Sequence, residues 1–398
     1  MKTIENAEIK NKCIIFRADL NVPVVNGKIT DDSRIVSIIP SINKLIDKKN
    51  KIFILAHFGR PKGKVNKELS IEFLCEELRK RLKISKVHFL KTLNNEEIKN
   101  KQSEMNYGEV CLFENIRFYK EEENNETNFS KKLSVEFEIF VNDAFSASHR
   151  NHASIVGLPK YLPSFAGLNF MEEILNLNNF LINSKRPNLA IIGGSKISTK
   201  INVIYNLVKL FDSIIIGGAM ANTFLLAKYI KIGNSIYEKD FIEVAKEILI
   251  EAENNKTKII LPVDAICSNS LNDNKDVLQC NIKNIPNNKM ILDVGDETTN
   301  IISDEINKSH SVLWNGPLGA FEFKPFEKSS IVIANNIKKK SIKNNLKALA
   351  GGGDTLSAIN LADAKDGFSY LSNAGGAFLE WLEGNKSPGY IALEKNNL

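Results

Sequence analysis

The sequence lacks any long hydrophobic run, although 43% of its 398 residues are hydrophobic. A helix that crosses a membrane needs about 20 consecutive apolar residues, so we expect no membrane partner. Residues 1–5 include an acid and begin no sustained apolar segment, which argues against a secretory signal peptide. The chain is therefore predicted to be a globular protein of the cytoplasm.

Cysteine is scarce and shows no redox or metal-binding spacing. The five cysteines, at positions 13, 75, 111, 267 and 280, are odd in number and form no C-x-x-C pair. Because most of them lie in apolar stretches, buried thiols in a reducing compartment explain them. His149 and His152 have a spacing that could share a metal, but no acid or cysteine completes a zinc site.

Several common catalytic motifs are also absent. The sequence contains no G-x-x-x-x-G-K-[ST], no G-x-G-x-x-G opening a first helix, no G-x-S-x-G and no H-E-x-x-H. These absences disfavour a P-loop hydrolase, an ordinary Rossmann dehydrogenase, an α/β-hydrolase and a zinc protease. The net charge of +6 is spread along the chain, which suits small anionic substrates as well as nucleic acid.

What the sequence does contain is a repeated alternation of short apolar runs and helical patterns, which is typical of βα units. The runs are continuous rather than alternating, as in parallel strands that are buried on both faces. A chain of 398 residues also exceeds what one hydrophobic core usually supports. The predicted strands are 13–17, 51–56, 87–89, 109–113 and 138–142 in the first half, and 189–192, 213–216, 258–261, 290–293, 311–314 and 346–350 in the second.

The predicted fold class is α/β, with two doubly wound, Rossmann-like parallel-sheet domains joined by a helix and separated by a cleft. The joining segment lies between Pro163 and Pro187. Its apolar residues, which include Leu168, Leu175 and Leu181, recur at helical spacing. An ordinary helix inside one large domain is the alternative.

The residues that follow the predicted strands of the first half are rich in charge. In open parallel sheets, ligands bind beyond the carboxyl ends of the strands. Arginine suits phosphate and carboxylate there because its planar fork gives two parallel hydrogen bonds. The first half therefore predicts a site for a small, highly charged anion, although any single arginine could be a surface ion-pair partner. The residues concerned are Asp19, Asn21, Arg34, His57, Arg60, Lys62, Asn115, Arg117, Asp143, His149, Arg150 and His152.

The strands of the second half are followed by glycines. Repeated glycine pairs followed by lysines favour a nucleotide polyphosphate, because glycine lets a ligand approach the backbone and helix starts attract anions. Asp354 adds a carboxylate that can bind a metal. Glycines that merely pack strand against helix are the alternative. The loops are Gly193, Gly194, Ser195 and Lys196; Gly217 and Gly218; Asn315, Gly316, Pro317, Leu318 and Gly319; and Gly351, Gly352, Gly353 and Asp354.

An anion-binding half and a nucleotide-binding half together indicate an enzyme that transfers a phosphoryl group between two bound substrates. Such chemistry depends mainly on positioning and on neutralising charge. The sequence offers no convincing general base. An acceptor carboxylate fits this absence, since a carboxylate is already ionised near neutral pH.

Eight sequence blocks, in order along the chain, carry a resemblance to a known family. They are FRADLNVP at 16–23, AHFGRPKG at 56–63, ENIRF at 114–118, NDAF at 142–145, HRNHAS at 149–154, GGSKISTK at 193–200, WNGPLGAFE at 314–322 and GGGDT at 351–355. On these blocks the chain resembles the phosphoglycerate kinase family over essentially its full length.

The resemblance implies reversible transfer of the acyl phosphate of 1,3-bisphosphoglycerate to ADP, giving 3-phosphoglycerate and ATP, with Mg²⁺ bound to the nucleotide. It implies that residues 1–167 and 386–398 form an N-terminal domain for the glycerate substrate. Residues 168–184 would be the interdomain helix and residues 185–385 the nucleotide domain. It further implies a monomer that closes on its substrates and has no nucleic-acid partner.

The resemblance also assigns site residues by motif. Arg34, Lys196, Lys200 and Gly375 would surround the transferred phosphoryl group, and Asp354 would bind the magnesium. The glycerate substrate would be held by Asp19, Asn21, Arg34, His57, Arg60, Arg117 and Arg150. The nucleotide would be held by Lys200, Gly218, Leu292, Asn315, Pro317, Glu322, Gly352, Gly353, Asp354 and Thr355.

Three departures from the family pattern lie near the expected nucleotide site. Ile291 replaces a glycine, Asp296 replaces the proline of a Gly-Pro pair, and Asn373-Ala374 replaces Thr-Gly at a helix start. Backbone N–H donors survive these changes, but Ala374 would be strained if its position required a positive φ. We expect activity with altered nucleotide affinity or closure. A two-domain ligand-binding protein and a degenerate member that binds nucleotide without catalysis are the alternatives.

Overall fold

The computed structural model describes residues 1–273, 275–344 and 346–398. Over these residues the chain divides into two compact units, one of Met1–Leu175 with Lys386–Leu398 and one of Asn176–Asn385. The division falls inside the helix Leu168–Asn183, where the sequence predicts the joining helix. The binding role expected of each unit stays a prediction.

The first unit is built on a parallel sheet, as its continuous apolar runs predict. Its inner strands are almost fully buried, because helices cover both faces of such a sheet. The short edge strand Ser164–Ala166 was not predicted. Among the described residues the strands lie in the spatial order Val87–Leu90, Val110–Phe113, Lys51–Leu55, Cys13–Arg17, Ile139–Asn142 and Ser164–Ala166, all parallel.

Two helices of the first unit, Ser33–Asp47 and Leu74–Leu82, bury an apolar stripe in its core. Ser33–Asp47 is the clearest case, because its buried Ile35, Ile38, Ile42 and Leu45 recur every three or four residues. A small antiparallel hairpin pairs Val24–Val25 with Lys28–Ile29. In the described part of this unit the α-helices are Ser33–Asp47, Leu74–Leu82, Asn95–Glu104, Lys120–Glu123, Thr127–Ser134 and Pro388–Glu394.

The second unit repeats the arrangement with its own parallel sheet and core, which confirms the predicted α/β class. Its edge strand Tyr370–Ser372 was not predicted. In spatial order the described strands are Lys258–Ile260, Ser213–Ile216, Asn188–Ile192, Ser311–Asn315, Lys347–Gly351 and Tyr370–Ser372, all parallel. The α-helices are Ile201–Leu210, Met220–Ala227, Ile242–Asn254, Asp296–Lys308, Lys328–Asn344, Gly353–Leu361 and Gly376–Leu382.

One predicted strand was assigned to the wrong kind of sheet. Residues 290–293 were predicted to join the parallel sheet, but Met290–Val294 pairs antiparallel with Asp264–Ser268, which also pairs with Leu278–Asn281. Residues 269–289 separate Asp264–Ser268 from Met290–Val294, and that length would allow either direction of pairing. Apolar character alone shows neither the partner nor the direction of Met290–Val294.

The joining helix Leu168–Asn183 follows its predicted period with one exception. Phe170, Ile174, Leu177 and Leu181 are buried at spacings of four, three and four residues. Leu175, which the sequence pattern included in the apolar stripe, is 53% exposed. No helix in the described part of the chain is long and apolar enough to cross a membrane.

All five cysteines are free thiols. Cys111 and Cys267 are buried, whereas Cys13, Cys75 and Cys280 are half-buried. The Sγ atoms of Cys267 and Cys280 lie 3.9 Å apart across two paired strands, within hydrogen-bond distance but not joined as a disulfide. Burial raises the pKa of Cys111 and of Cys267 to about 12, so both are protonated at neutral pH.

Asp143 is predicted to make stability depend on pH. Its Oδ1 accepts from the backbone N of Phe170 at 2.9 Å, in the first turn of the joining helix, and burial raises its pKa to about 7. The folded state therefore keeps a proton that the unfolded chain releases, so this contribution is present at low pH and is lost as the pH rises through about 7. We expect the free energy of unfolding to fall by up to about 4 kcal/mol between about pH 4 and pH 7.

Asp143→Asn should remove that pH dependence from the first unit. Hydrogen exchange of peptides from Ile139–Asn142, followed from pH 4 to pH 7, measures the effect locally. Asp293→Asn is the matched control, because burial raises the pKa of Asp293 to about 7 in the second unit. An unchanged pH dependence of protection in the Asp143 variant would contradict the assignment.

Candidate active site

Arg34 and Asp19 form a charged pair at the carboxyl ends of the first unit's strands. Arg34 Nη1 donates to Asp19 Oδ2 at 2.6 Å, Ser146 Oγ donates to the same oxygen, and the backbone N of Asn21 donates to Oδ1 at 3.1 Å. Burial by itself would raise the pKa of Asp19, but Arg34, His57 and the donors hold it at about 2. The Arg34 side chain keeps 30% of its surface exposed and can reach a ligand.

Asn21 and Arg117 are linked through the glycine that precedes Arg60. The backbone N of Gly59 donates to Asn21 Oδ1 at 2.8 Å, and Gly59 O accepts from Arg117 Nη1 at 2.7 Å. Arg60 follows directly and its side chain is exposed. These bonds bring the loops after three strands together, as the positions of these residues predict.

The loop that carries His57 is held by a buried amide. Asn115 Oδ1 accepts from the backbone N of Phe58 at 3.2 Å, and its Nδ2 donates to Phe58 O and Leu69 O at 2.7 and 2.9 Å. The same Oδ1 accepts from the backbone N of Arg117 at 3.2 Å. Asn115 thus orients two of the predicted ligand residues without having to touch the ligand.

Arg117 carries more positive charge than its surroundings neutralise. Its side chain is 3% exposed, and burial, then Arg150 and Arg17, lowers its pKa to about 10. Nε lies 3.4 Å from Glu123, but Nη2 is buried and has no hydrogen-bond partner among the described residues. A buried donor left unpaired costs free energy, which an incoming anionic oxygen would recover.

The two histidines near Arg150 have different surroundings. His152 Nδ1 lies 3.6 Å from the buried carboxylate of Glu122. Burial, then Arg150, lowers the pKa of His149, whose Nδ1 has no hydrogen-bond partner in the described residues. Arg150 itself is half-buried. Its charge therefore adds to that of Arg117 in the same region.

Sequence reasoning missed three buried polar residues behind this cluster. Arg17, Glu122 and Ser154 are each 0% exposed and hydrogen-bonded to one another or to His57. A signal for Arg17 was present, because it is a charged residue that ends the otherwise apolar strand Cys13–Arg17. Nothing in the sequence indicates that Ser154, in a distant block, is its partner.

In the second unit a pocket of about 340 Å³ lies among the glycine loops. Ile291, Leu292 and Pro317 supply apolar lining, while Glu322 and Asp354 bring carboxylates. Gly218, another predicted nucleotide residue, also lines it. Such walls suit a ligand that has a flat apolar ring and a polar end.

Lys200 lies where the glycine loops meet. Its Nζ donates to Gly193 O at 2.6 Å and to Asn315 O at 3.1 Å. Burial lowers its pKa to about 8, against the attraction of Asp354. The predicted partner Lys196 is exposed on the same loop. Lys200 therefore holds a positive charge beside loops that are expected to bind phosphate.

The loop before the helix Gly353–Leu361 is fixed by its neighbours. Asn315 Nδ2 donates to Gly351 O at 2.7 Å, and the backbone N of Gly316 donates to Thr355 Oγ1 at 2.7 Å. Gly352 takes a φ of +98° as the N-cap, which only glycine adopts readily. The first backbone N–H groups of this helix are thereby ordered next to Asp354.

The glycines of this unit divide into packing and open positions. A Cβ on Gly193 would lie 2.0 Å from the carbonyl O of Pro317, and one on Gly218 would lie 2.4 Å from Gly194 O. Close packing therefore explains why Gly193 and Gly218 are glycines, whether or not they also bind a ligand. A Cβ on Gly353 would meet no atom within 4 Å. Protein packing therefore does not explain Gly353, and unlike Gly375, where a Cβ would also meet no atom, Gly353 has no positive φ.

The backbone before the helix Gly376–Leu382 shows whether Ala374 is strained. Gly375 takes the positive φ, +53°, and Ala374 is not among the positive-φ residues of the described chain. Ala374 N is bonded to Ser372 Oγ at 3.2 Å. The replacement of glycine by Ala374 therefore introduces no strain from a left-handed backbone. A catalytic role for Gly375 stays a prediction.

Comparisons with known proteins agree with this architecture. A family model described as phosphoglycerate kinase matches residues 4–385. A phosphoglycerate kinase of Chelativorans sp. strain BNC1 is 43% identical over 395 residues, covering 99% of both chains. The solved structure of phosphoglycerate kinase from Coxiella burnetii is 36% identical with a TM-score of 0.88 and covers 99% of this chain and 98% of that one. The enzyme from Pyrococcus horikoshii OT3 has 27% identity and a TM-score of 0.82 at the same coverage.

These similarities extend over both units, so they do not depend on one shared motif. They confirm the resemblance that the eight sequence blocks indicate, and they do not support a degenerate member as the main interpretation. The chain belongs to the phosphoglycerate kinase family.

Proposed function

We propose that the chain reversibly transfers the acyl phosphate of 1,3-bisphosphoglycerate to ADP, giving 3-phosphoglycerate and ATP. The observation that carries the glycerate site is the unneutralised charge of the first unit, where Nη2 of the buried Arg117 has no hydrogen-bond partner in the described chain. Arg150 and Arg17 further raise the positive potential there. A small ligand with several negative charges is what such a site binds best.

Within this proposal Asp19, Asn21, His57, Arg60, Arg117 and Arg150 hold the glycerate substrate, and Arg34, Lys196, Lys200 and Gly375 act on the phosphoryl group. Arg34 and Lys200 are the best supported, because hydrogen bonds fix their positive groups. No general base is required, since the acceptor carboxylate is already ionised. This agrees with His57, whose pKa burial and Arg17 lower well below the ordinary value.

The second unit would bind the nucleotide through the pocket and the glycine loops. Lys200, Gly218, Leu292, Asn315, Pro317, Glu322, Gly352, Gly353, Asp354 and Thr355 are the proposed ligand residues. Asp354 fits a nucleotide-bound Mg²⁺, because its exposed carboxylate lines the pocket and Mg²⁺ is usually held by one or two carboxylates plus phosphates. When bound, the ion would neutralise phosphate charge.

Gly353→Ala is predicted to separate nucleotide binding from folding. The added methyl group would meet no protein atom within 4 Å, and the φ of Gly353 is not positive. Because alanine favours a helix by about 1 kcal/mol over glycine, stability should be unchanged or slightly higher. ADP affinity should fall about tenfold or more, because the methyl group would occupy the space of a phosphate that approaches the backbone. Calorimetric titration with ADP and thermal unfolding measure the two effects.

The matched control is Gly27→Ala, which also meets no protein atom within 4 Å but has a φ of +73° in the first unit. This control should cost some stability and leave ADP affinity unchanged. Unaltered ADP affinity in the Gly353 variant would remove this helix start from the nucleotide site.

A coupled assay of ATP-dependent phosphorylation of 3-phosphoglycerate, with and without Mg²⁺, tests the proposed function. Turnover that requires both 3-phosphoglycerate and Mg²⁺ is expected. Binding of both substrates without turnover would instead favour a non-catalytic member, and binding of an anion alone would favour a ligand-binding protein. Sedimentation equilibrium of the same preparation tests the proposed monomer.

We also propose a cytoplasmic location and no nucleic-acid partner. The support is the relationship to a family of glycolytic enzymes and the five free thiols, which suit a reducing compartment. Fractionation of the native protein and a gel-shift experiment with nucleic acid measure these two properties.

A further inference from the structure

Arg17 is a charged side chain with no contact with solvent. It is 0% exposed and is among the largest fully buried side chains of the chain. A buried guanidinium is stable only when its donors are paired. Nε donates to Ser154 Oγ at 2.8 Å, Nη1 donates to Ala18 O, and Nη2 lies 3.2 Å from His57 Nδ1.

Glu122 continues this network on the far side of Ser154. Its carboxylate is 0% exposed and accepts from the backbone N and Oγ of Ser154 at 2.8 and 2.6 Å. Burial by itself would raise the pKa of Glu122, but His152, Arg17 and Ser154 lower it, so the carboxylate is ionised. An ionised carboxylate can only accept hydrogen bonds.

The donor and acceptor of each hydrogen bond in this network follow from the charge states of Glu122 and Arg17. Because Glu122 only accepts, the Ser154 hydroxyl must donate to it, which leaves an oxygen lone pair to accept from Arg17 Nε. Arginine has no acceptor, so Nη2 must donate to His57. His57 Nδ1 therefore accepts, and a neutral imidazole that accepts at Nδ1 carries its proton on Nε2.

We propose that Arg17 is a positioning residue that holds His57 as the neutral imidazole with its proton on Nε2, ready to donate to an oxygen of the anionic substrate. The other tautomer would direct a lone pair from Nε2 instead. The inference rests on the proposed function at one point, namely that His57 binds the glycerate substrate.

The charged groups around His57 favour this state. Burial disfavours a second proton on the imidazole, and so do the charges of Arg17, Arg117 and Arg150. The negative charge of Asp19 acts in the other direction and favours protonation. No residue of the described chain is hydrogen-bonded to Nε2. The imidazole thus adds a directed donor to the site without adding a further positive charge to it.

The tautomer can be measured directly on the unmodified protein. Imidazole ¹⁵N chemical shifts, assigned by comparison with His57→Gln, report which ring nitrogen carries the proton without substrate and without an activity assay. We expect the Nε2–H tautomer at neutral pH, with a pKa for His57 below its ordinary value because of burial and Arg17. Observation of the Nδ1–H form, or of an ordinary titration near pH 6.5, would overturn the proposal.

A double-mutant cycle tests whether Arg17 acts through His57. Arg17→Lys retains the charge but cannot supply three donors in one plane, so KM for 3-phosphoglycerate should rise about tenfold with a smaller change in kcat. In a His57→Gln background the same substitution should have little further effect on KM. Equal effects in both backgrounds would overturn the proposal while leaving the function intact.

Two further variants control for structural damage. Ser154→Ala removes the acceptor of Nε but leaves Nη2 able to donate, so its effect on KM should be smaller than that of Arg17→Lys. Arg186→Lys alters an exposed arginine paired with Asp212 in the second unit and should change neither KM nor the His57 shifts. If Arg17→Lys fails to fold, the tautomer measured on the unmodified protein still decides the proposal. Absence of turnover in that protein would instead contradict the proposed function.

Discussion

Arg34→Ala is expected to lower turnover by about 10²- to 10³-fold, the usual cost of removing one preorganised group from a charged transition state. Arg34 Nη1 is held at 2.6 Å from Asp19, so its guanidinium is oriented before the substrate arrives. A charge that is already oriented need not be reorganised during the reaction. We therefore expect the loss of this charge to lower kcat. Steady-state kinetics with 3-phosphoglycerate and ATP measure the effect.

Stability should change far less than turnover in this variant. Arg34 keeps 30% of its side-chain surface exposed, so solvent screens part of its interaction with the buried Asp19. Ser146 and the backbone N of Asn21 still donate to Asp19 after the substitution. The pKa of Asp19, about 2 with Arg34 present, should rise.

Arg34→Lys is the matched control, because it retains the charge but loses the planar fork. Its turnover should lie between those of the alanine variant and the unmodified protein. Near-normal turnover in Arg34→Ala would contradict the assigned role, whatever the lysine variant does.

Lys200→Met is expected to have the second large effect, again about 10²- to 10³-fold on turnover. The ammonium group lies between Gly193 O and Asn315 O, where the nucleotide loops meet, and methionine fills similar space without charge. Burial lowers the pKa of Lys200 to about 8, so the folded protein disfavours this charge before a ligand binds. Thermal unfolding should therefore show no large loss of stability.

The lowered pKa of Lys200 also predicts how nucleotide affinity depends on pH. Below about pH 8 the ammonium group is charged and can bind phosphate, whereas above that value nucleotide must first recruit a proton. The apparent Kd for ADP should therefore rise by up to about tenfold for each pH unit above about 8. Calorimetric titration at several pH values measures this dependence.

Lys200→Arg distinguishes loss of charge from loss of shape, because arginine stays protonated throughout this range. The rise in Kd above pH 8 should be absent from both the methionine and the arginine variants, and the arginine variant should bind ADP more tightly than the methionine variant because it keeps the positive charge. A rise that persists in Lys200→Met would assign the titration to another group.

Much of the fold could be predicted because buried parallel strands leave a strong local pattern. Cys13–Arg17, Lys51–Leu55 and Ser213–Ile216 are continuous apolar runs, and they lie within one residue of their predicted bounds. The residues that follow the strands could likewise be predicted as site candidates, since the carboxyl ends of parallel strands meet at one edge. Met290–Val294 could not be placed, because its local pattern does not show which strand it pairs with.

The sequence by itself determined the α/β class, the family resemblance and the kinds of side chain expected at each site. The tertiary structure decided which of those side chains touch and what charge they carry. Arg17 and His57 are 40 positions apart in the chain, yet Arg17 Nη2 lies 3.2 Å from His57 Nδ1, and the proposed position of the proton on His57 rests on that contact. The tertiary structure also showed that Gly193 is required by close packing, whereas Gly353 faces open space. The proton position on His57 and the difference between the two glycines both depend on distances and burial in the folded chain. Residue type and local spacing in the sequence do not reveal these quantities.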